Sequence, residues 1–205
     1  MTSLGEDVNA DSDKYLLVDA ATSLIQVLYI SNKKVVSYKS EVGNSVDLVT
    51  VLVKGLIEES SLMIDDFSGM LFCSGPGSSM GLRVALTSIN VWKIFSKRKL
   101  DILEYCSLEM CMNLNPQFDT IVSYGDMGSA VIMRRSSKTV MIDENFDKKN
   151  YQNVALLNTR HVIPKNFQDI ELAKYDIASA NFPILSICRP SNGSLKEFAT
   201  ANTRL

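Results

Sequence analysis

Histidine is nearly missing from this 205-residue chain, where His161 stands alone. A metal site built on two histidines of the chain is therefore excluded. A histidine-dependent triad would have to use His161, which precedes Ile163-Pro164 in a loop-like stretch. Cysteine is scarce too. Cys73, Cys106, Cys111 and Cys188 form no C-x-x-C pair, which speaks against zinc and thioredoxin-type chemistry. Reduced thiols in a cytoplasmic protein are the economical reading. No apolar run approaches the ~18–20 residues of a membrane helix, and the N-terminus has no basic segment followed by an apolar one, as a signal peptide would. One-sided charge is also missing, with 21 Lys and Arg against 23 Asp and Glu, or −2. Four of those carboxylates, Glu6, Asp7, Asp11 and Asp13, fall in the first 13 residues, which hold no Lys or Arg. The rest, 21 against 19, is at +2, without the strong basic excess of a nucleic-acid-binding surface.

What is present is a globular mixture, 46% hydrophobic and 21% charged. Residues 1–13 read as a solvated, disordered leader. Tyr15-Leu16-Leu17-Val18-Asp19 then reads as a buried strand ending in a carboxylate. Leu24 to Ile30 and Val35 to Ser40 read as a hairpin around Ser31-Asn32-Lys33-Lys34. Asn44 or Ser45 caps a helix to about Ser60, with Val46, Val49, Leu52, Val53, Leu56 and Ile57 on its core face. A strand from Ser68 to Cys73, a loop, a helix from about Leu82 to Ser96 and a strand from Ile102 to Tyr105 follow. A short helix from Ser107 to Leu114 stops before Pro116. The remainder is strand-dense: Thr120 to Tyr124, Ala130 to Arg134, Thr139 to Ile142 and Val154 to Leu157, then a helix near Phe167 to Tyr175. No repeat of fixed period is visible. The division expected is an N-terminal lobe over 14–112, a smaller lobe over 113–190 and a loose tail over 191–205.

The most specific feature is the loop Ser74-Gly75-Pro76-Gly77-Ser78-Ser79-Met80-Gly81, between a strand and a helix. Such a loop can offer backbone N–H groups to an anion. Equally, its glycines can let helix and strand pack closely around a tight turn. It is neither a Walker A loop nor G-x-G-x-x-G, since Gly81 is followed by Leu82-Arg83. Asp19 has two readings as well: it can hold a metal, or it can cap the turn Ala20-Ala21-Thr22. Ser123 to Gly128 reads as a hairpin turn rather than a second phosphate loop. The two long helices carry apolar residues on two sides. On the first, Leu48, Val51 and Gly55 lie away from the main apolar arc. On the second, Val84, Val91 and Phe95 make one stripe and Ala85, Ile89 and Trp92 another, with Ser88 between. The spare faces suit either a partner or the C-terminal lobe. A glycine inside a helix costs about 1 kcal/mol, which the close approach of another helix at Gly55 would offset.

Tyr15 to Thr22, the hairpin, the helix from Asn44-Ser45 and the run Cys73 to Val84 together resemble the TsaB family, also called YeaZ. The family's loop typically reads G-P-G-S-F-T-G-L-R. Here Gly75, Pro76, Gly77, Ser78, Gly81, Leu82 and Arg83 match it, while Ser79 and Met80 replace Phe and Thr. The resemblance covers about residues 14–112. In the family's strand-one motif, Asp19 and Thr22 match and Ala20 replaces a threonine.

The resemblance implies an α/β chain of the actin-like ATPase, RNase H-like fold, with two lobes of mixed sheet flanked by helices. It implies a catalytically silent subunit in the formation of N6-threonylcarbamoyladenosine on tRNAs that read codons beginning with A. The transfer itself would belong to the related protein TsaD, with the ATPase TsaE joining the pair. On this reading Leu48, Val51, Gly55, Val84, Ser88, Val91 and Phe95 form the TsaD contact, and the same surface makes a homodimer when TsaD is absent. The chain alone would bind no cofactor or metal. ATP, ADP and a metal would belong to the complex with TsaD and TsaE, and tRNA would be met only through that complex. The alternative is an ATP-dependent phosphotransferase or ATPase of the same superfamily, with the loop on phosphate and Asp19 on magnesium. A peptidase reading has no metal motif and one unpartnered histidine behind it.

Overall fold

The computed structural model describes residues 13–124, 129–159, 163 and 165–191. The expected leader up to residue 12, the tail beyond Ser191, His161 and the turn at 125–128 lie outside the described residues.

The first lobe is built from β1 (Lys14–Asp19), β2 (Leu24–Ser31), β3 (Lys34–Val42), α1 (Ser45–Ser60), β4 (Gly69–Gly75), α2 (Ser79–Phe95), β5 (Asp101–Cys106) and α3 (Ser107–Leu114). β1 pairs antiparallel with β2 and parallel with β4, and Leu16, Leu17 and Val18 are fully buried. A central strand covered on both faces needs such a continuous apolar run. β3 is the sheet edge and much of it is exposed. Asn32 and Lys33 both take positive φ, 51° and 63°, as the two-residue turn favoured between twisted strands requires.

The side chain of Asn44 caps α1 by accepting from Val46 N–H at 3.1 Å. Val49, Leu52, Val53 and Leu56 are buried, whereas Val46, expected on the core face, is 55% exposed. At 3.6 residues per turn Val46 lies about 70° from the centre of the buried arc, at its margin. α2 starts at Ser79, three residues before the Leu82 expected, because the Ser78 hydroxyl caps the Gly81 N–H at 3.2 Å. α1 and α2 each return the chain to the start of a parallel strand, so they run side by side in the same direction.

The second lobe holds β6 (Thr120–Tyr124), β7 (Ala130–Arg134), β8 (Val140–Asp143), β9 (Val154–Leu156) and β10 (Glu171–Leu172). β6 pairs antiparallel with β7 from Thr120↔Arg134 to Tyr124↔Ala130. The sheet order is β10-β9-β6-β7-β8, against β5-β4-β1-β2-β3 in the first lobe, where β11 (Arg189–Pro190) adds beside β5. The same antiparallel and parallel pairings recur, with β9 and β10 standing where β4 and β5 do. The architecture therefore repeats although no sequence period shows it.

Among the described residues after Leu114 there is no α-helix. The helix expected near Phe167 to Tyr175 is instead a 3-10 turn, Lys165–Phe167, followed by β10. Phe167 and Ile170 mimic helical spacing but are buried in a second, separate core beside Val122, Ile132 and Leu156. Aromatic rings fill that core. Phe146 stacks on Phe167 at 5.1 Å and on Tyr151 at 5.2 Å between ring centres.

Candidate functional site

Asp19 ends β1 at the junction of the lobes and is completely buried. It accepts from the Ala21 N–H at 2.9 Å, from the Tyr175 hydroxyl at 3.0 Å and from the Tyr105 hydroxyl. The turn-capping reading of Asp19 is thus the one the geometry contains, with two phenols added. Burial raises the carboxyl above its ordinary range, opposed by the hydrogen bonds from Tyr105, Ala21 and Tyr175. Burial also lifts both phenols and the adjoining Cys73 thiol well above their usual values, and the Asp19 charge adds to each. Three acceptor positions of this carboxylate are taken, and its side chain has no exposed surface. Among the described residues, no three His, Cys, Asp or Glu side chains gather as a metal site.

Tyr175 reaches Asp19 because its segment is clamped on both sides. The buried Gln26 amide donates to Tyr175 C=O at 3.0 Å and accepts from Ile177 N–H at 2.8 Å. The buried Asn115 amide donates to Lys174 C=O at 2.7 Å and accepts from Lys174 N–H at 3.0 Å. Thr22 serves locally: its hydroxyl accepts from Leu24 N–H at 3.1 Å.

The glycine-rich loop packs against this same turn. A Cβ on Gly77 would stand 2.8 Å from the Ala21 carbonyl oxygen, and one on Gly81 would stand 1.9 Å from that of Ala20. Ser78 N–H donates to Ala21 C=O at 2.7 Å, Ser74 Oγ to Tyr105 C=O at 3.1 Å, and Ser107 Oγ to Pro76 C=O. Gly75 takes a positive φ of 107°, a conformation open to glycine. Leu82 is buried in the core and Arg83 is exposed. The packing role read from the glycines is therefore present.

The residues expected on the outer faces of the helices divide. Val51, Val91 and Phe95 are exposed, at 62%, 42% and 79%, and Ile94, which sequence reasoning passed over, is 78% exposed. Leu48, Gly55, Val84 and Ser88 are half-buried. The close approach at Gly55 comes from the Lys39 side chain of β3, 3.1 Å from a Cβ placed there, rather than from a helix. Sequence reasoning also missed Tyr105, Tyr175, Gln26 and Asn115. Their partners are distant in the chain, and no local pattern marks them.

No protein-family model matches the sequence, and no curated protein matches it. Solved structures do. YeaZ from Pseudomonas aeruginosa is similar with a TM-score of 0.52 and 14% identity, over 63% of each chain. A protein described as similar to the peptidase YEAZ from Pseudomonas aeruginosa follows with a TM-score of 0.53 and 13% identity, over 70% of this chain and 74% of that one. The chain thus spans less than two thirds of the first of these structures. Both likenesses, with the repeated strand order, give the chain the actin-like ATPase fold expected of it.

Proposed function

We propose that this chain is a non-catalytic scaffold that binds TsaD, and with it TsaE, in threonylcarbamoyladenosine formation on tRNA in the cytoplasm. The observation that carries the proposal is the outer layer of the first lobe. There Val51, Val91, Ile94 and Phe95 hold apolar side chains in solvent on two adjacent helices. Exposed apolar surface of this kind marks a protein contact. The structural likeness to YeaZ supports the identity of the partner, as do the loop residues Ser74 to Arg83. Leu48, Gly55, Val84 and Ser88, half-buried on the same two helices, belong to the proposed contact, and without TsaD the same face would pair two copies of the chain. Nucleotide and metal belong, on this reading, to the assembled complex.

The test is co-purification with TsaD. Val51→Glu and Phe95→Glu place charges on exposed positions, so the chain should stay folded and lose the partner. Retention of TsaD by the double variant would sink the interface. The competing phosphotransferase reading needs Asp19 open to a metal ion, whereas it is buried beneath Tyr105 and Tyr175. Calorimetric binding of magnesium-ATP by the isolated chain, lost in Asp19→Asn, would restore that reading.

A further inference from the structure

The turn between β2 and β3 and the segment 178–184 enclose a groove of about 490 Å³ at one end of the first sheet. Val35, Phe182 and the buried Ile184 give it an apolar floor. Asn32, Lys33 and Lys34 stand exposed at its rim. Neither lysine side chain has a hydrogen bond or an ion pair among the described residues. Other cations of this lobe do have partners. Lys39 pairs with Glu59 and Lys54 with Glu58. Asp65 accepts from the Lys97 N–H and Arg98 donates to Asp65 C=O, so a carboxylate already stands beside Lys97-Arg98-Lys99. Lys33 and Lys34 are thus an uncompensated pair beside an apolar recess.

The chain enters the fold beside this groove. Lys14 opens β1 and pairs with Ser31, one residue before Asn32. Residues 1–12 lie outside the described residues, but their sequence complements the rim in charge. Glu6, Asp7 and Asp11 stand there without a Lys or Arg, and Val8 and Ala10 lie between those carboxylates. A chain spans at most ~3.3–3.6 Å per residue, so the stretch from Asp13 back to Val8 reaches up to ~17 Å. That is wider than a recess of this volume.

We propose that the groove is the docking site of the chain's own acidic leader, residues 1–12. Asp11 and the Glu6-Asp7 pair meet Lys33 and Lys34, and Val8 lies over Phe182 and Ile184. Exposed ion pairs are individually weak, and the apolar contact is small. The tether supplies what they lack, because docking is intramolecular and the effective concentration of a short tethered segment is in the millimolar range. The charge asymmetry of the sequence, with its acidic first residues and a remainder at +2, then serves a contact within the molecule. The inference does not depend on the partner reading, since none of Val51, Val91, Ile94 and Phe95 lines the groove.

The experiment is carbodiimide coupling of the full chain, which joins a carboxylate directly to a lysine amine in contact with it. Peptide mass spectrometry on an equal mixture of unlabelled and nitrogen-15 protein reads the products. Glu6, Asp7 or Asp11 should couple to Lys33 or Lys34 within one copy, in several-fold excess over coupling to Lys97 and Lys99. Salt at about 0.5 M should lower that yield, since it screens exposed charges. Coupling spread evenly over the lysines overturns the proposal. So does coupling between labelled and unlabelled copies, which would make a second molecule the occupant. A second measurement is amide NMR of the variant Glu6→Gln, Asp7→Asn, Asp11→Asn, which alters no described residue. The Lys33, Lys34 and Phe182 amides should shift from their positions in the parent. If they stay unmoved, the leader does not occupy the groove and the proposal is overturned.

Discussion

In the first lobe two long helices, α1 and α2, cover one face of the sheet. They bury Val49, Leu52, Val53 and Leu56 from one, and Leu82, Ala85, Leu86 and Ile89 from the other. In the second lobe five strands run in the same order and directions, but short 3-10 turns and an aromatic layer of Phe146, Tyr151 and Phe167 cover one face of the corresponding sheet. Backbone pairing alone is thus enough to keep the architecture, while the covering layer can change. A sheet face must be dry, and aromatic rings supply a large apolar area from few residues. What the helices add is a second face. A helix that buries one stripe presents another to solvent, and here that stripe is apolar. Rings laid on a sheet offer no such surface.

This comparison predicts a difference in sensitivity. Phe167 is fully buried and touches Tyr124 and Phe146. Phe167→Ala should cost about 3–5 kcal/mol in chemical denaturation. A loss below 1 kcal/mol would mean that the ring layer is not what closes the second core. The joint between the lobes comes next. Gln26→Ala leaves Ile177 N–H and Tyr175 C=O without partners at a buried position and should cost about 2 kcal/mol. It should also free the Tyr175 segment, visible as faster hydrogen exchange at Ile177. Unchanged exchange there would show that Asn115 holds the segment without help.

The smallest effect is the pH dependence of Asp19. Its folded pKa is raised by burial, so the fold favours the neutral carboxyl. The corresponding stability is full below the ordinary value of 3.8 and is lost as pH rises through the raised folded value. Thermal melts should show the parent losing stability across that window relative to Asp19→Asn. Parallel pH profiles of the two proteins would argue that the two tyrosine hydroxyls fully compensate the buried charge.

Much of the first lobe was legible because its signals are local. Asn44 caps α1 and the apolar arc of Val49 to Leu56 fixes its inner face. The run Leu16-Leu17-Val18 marks a central strand. The loop from Ser74 to Arg83 announces a strand-to-helix turn. In the second lobe β6 and β7 were equally plain, but Phe167 and Ile170 carried helical spacing into a segment that pairs as a strand. Spacing reports which residues are buried together, and a ring layer can impose it as readily as a helix. The candidate site was half legible. The surface positions Val51, Val91 and Phe95 followed from helix geometry, whereas Gly55 did not, because Lys39 of a neighbouring strand fills the space beside it.

By itself the sequence determined the near absence of histidine, the strand and helix order of the first lobe, and the glycines where loop and turn meet. These depend on residue type and on neighbours a few positions away. Only the tertiary structure decided what became of Asp19. Its partners Tyr105 and Tyr175 lie 86 and 156 residues away in the chain, and Tyr175 arrives through Gln26 and Asn115. Whether a carboxylate meets a metal ion or a pair of phenols depends on which distant side chains the fold delivers to it. That delivery is set by strand pairing across the whole molecule, which no local pattern records.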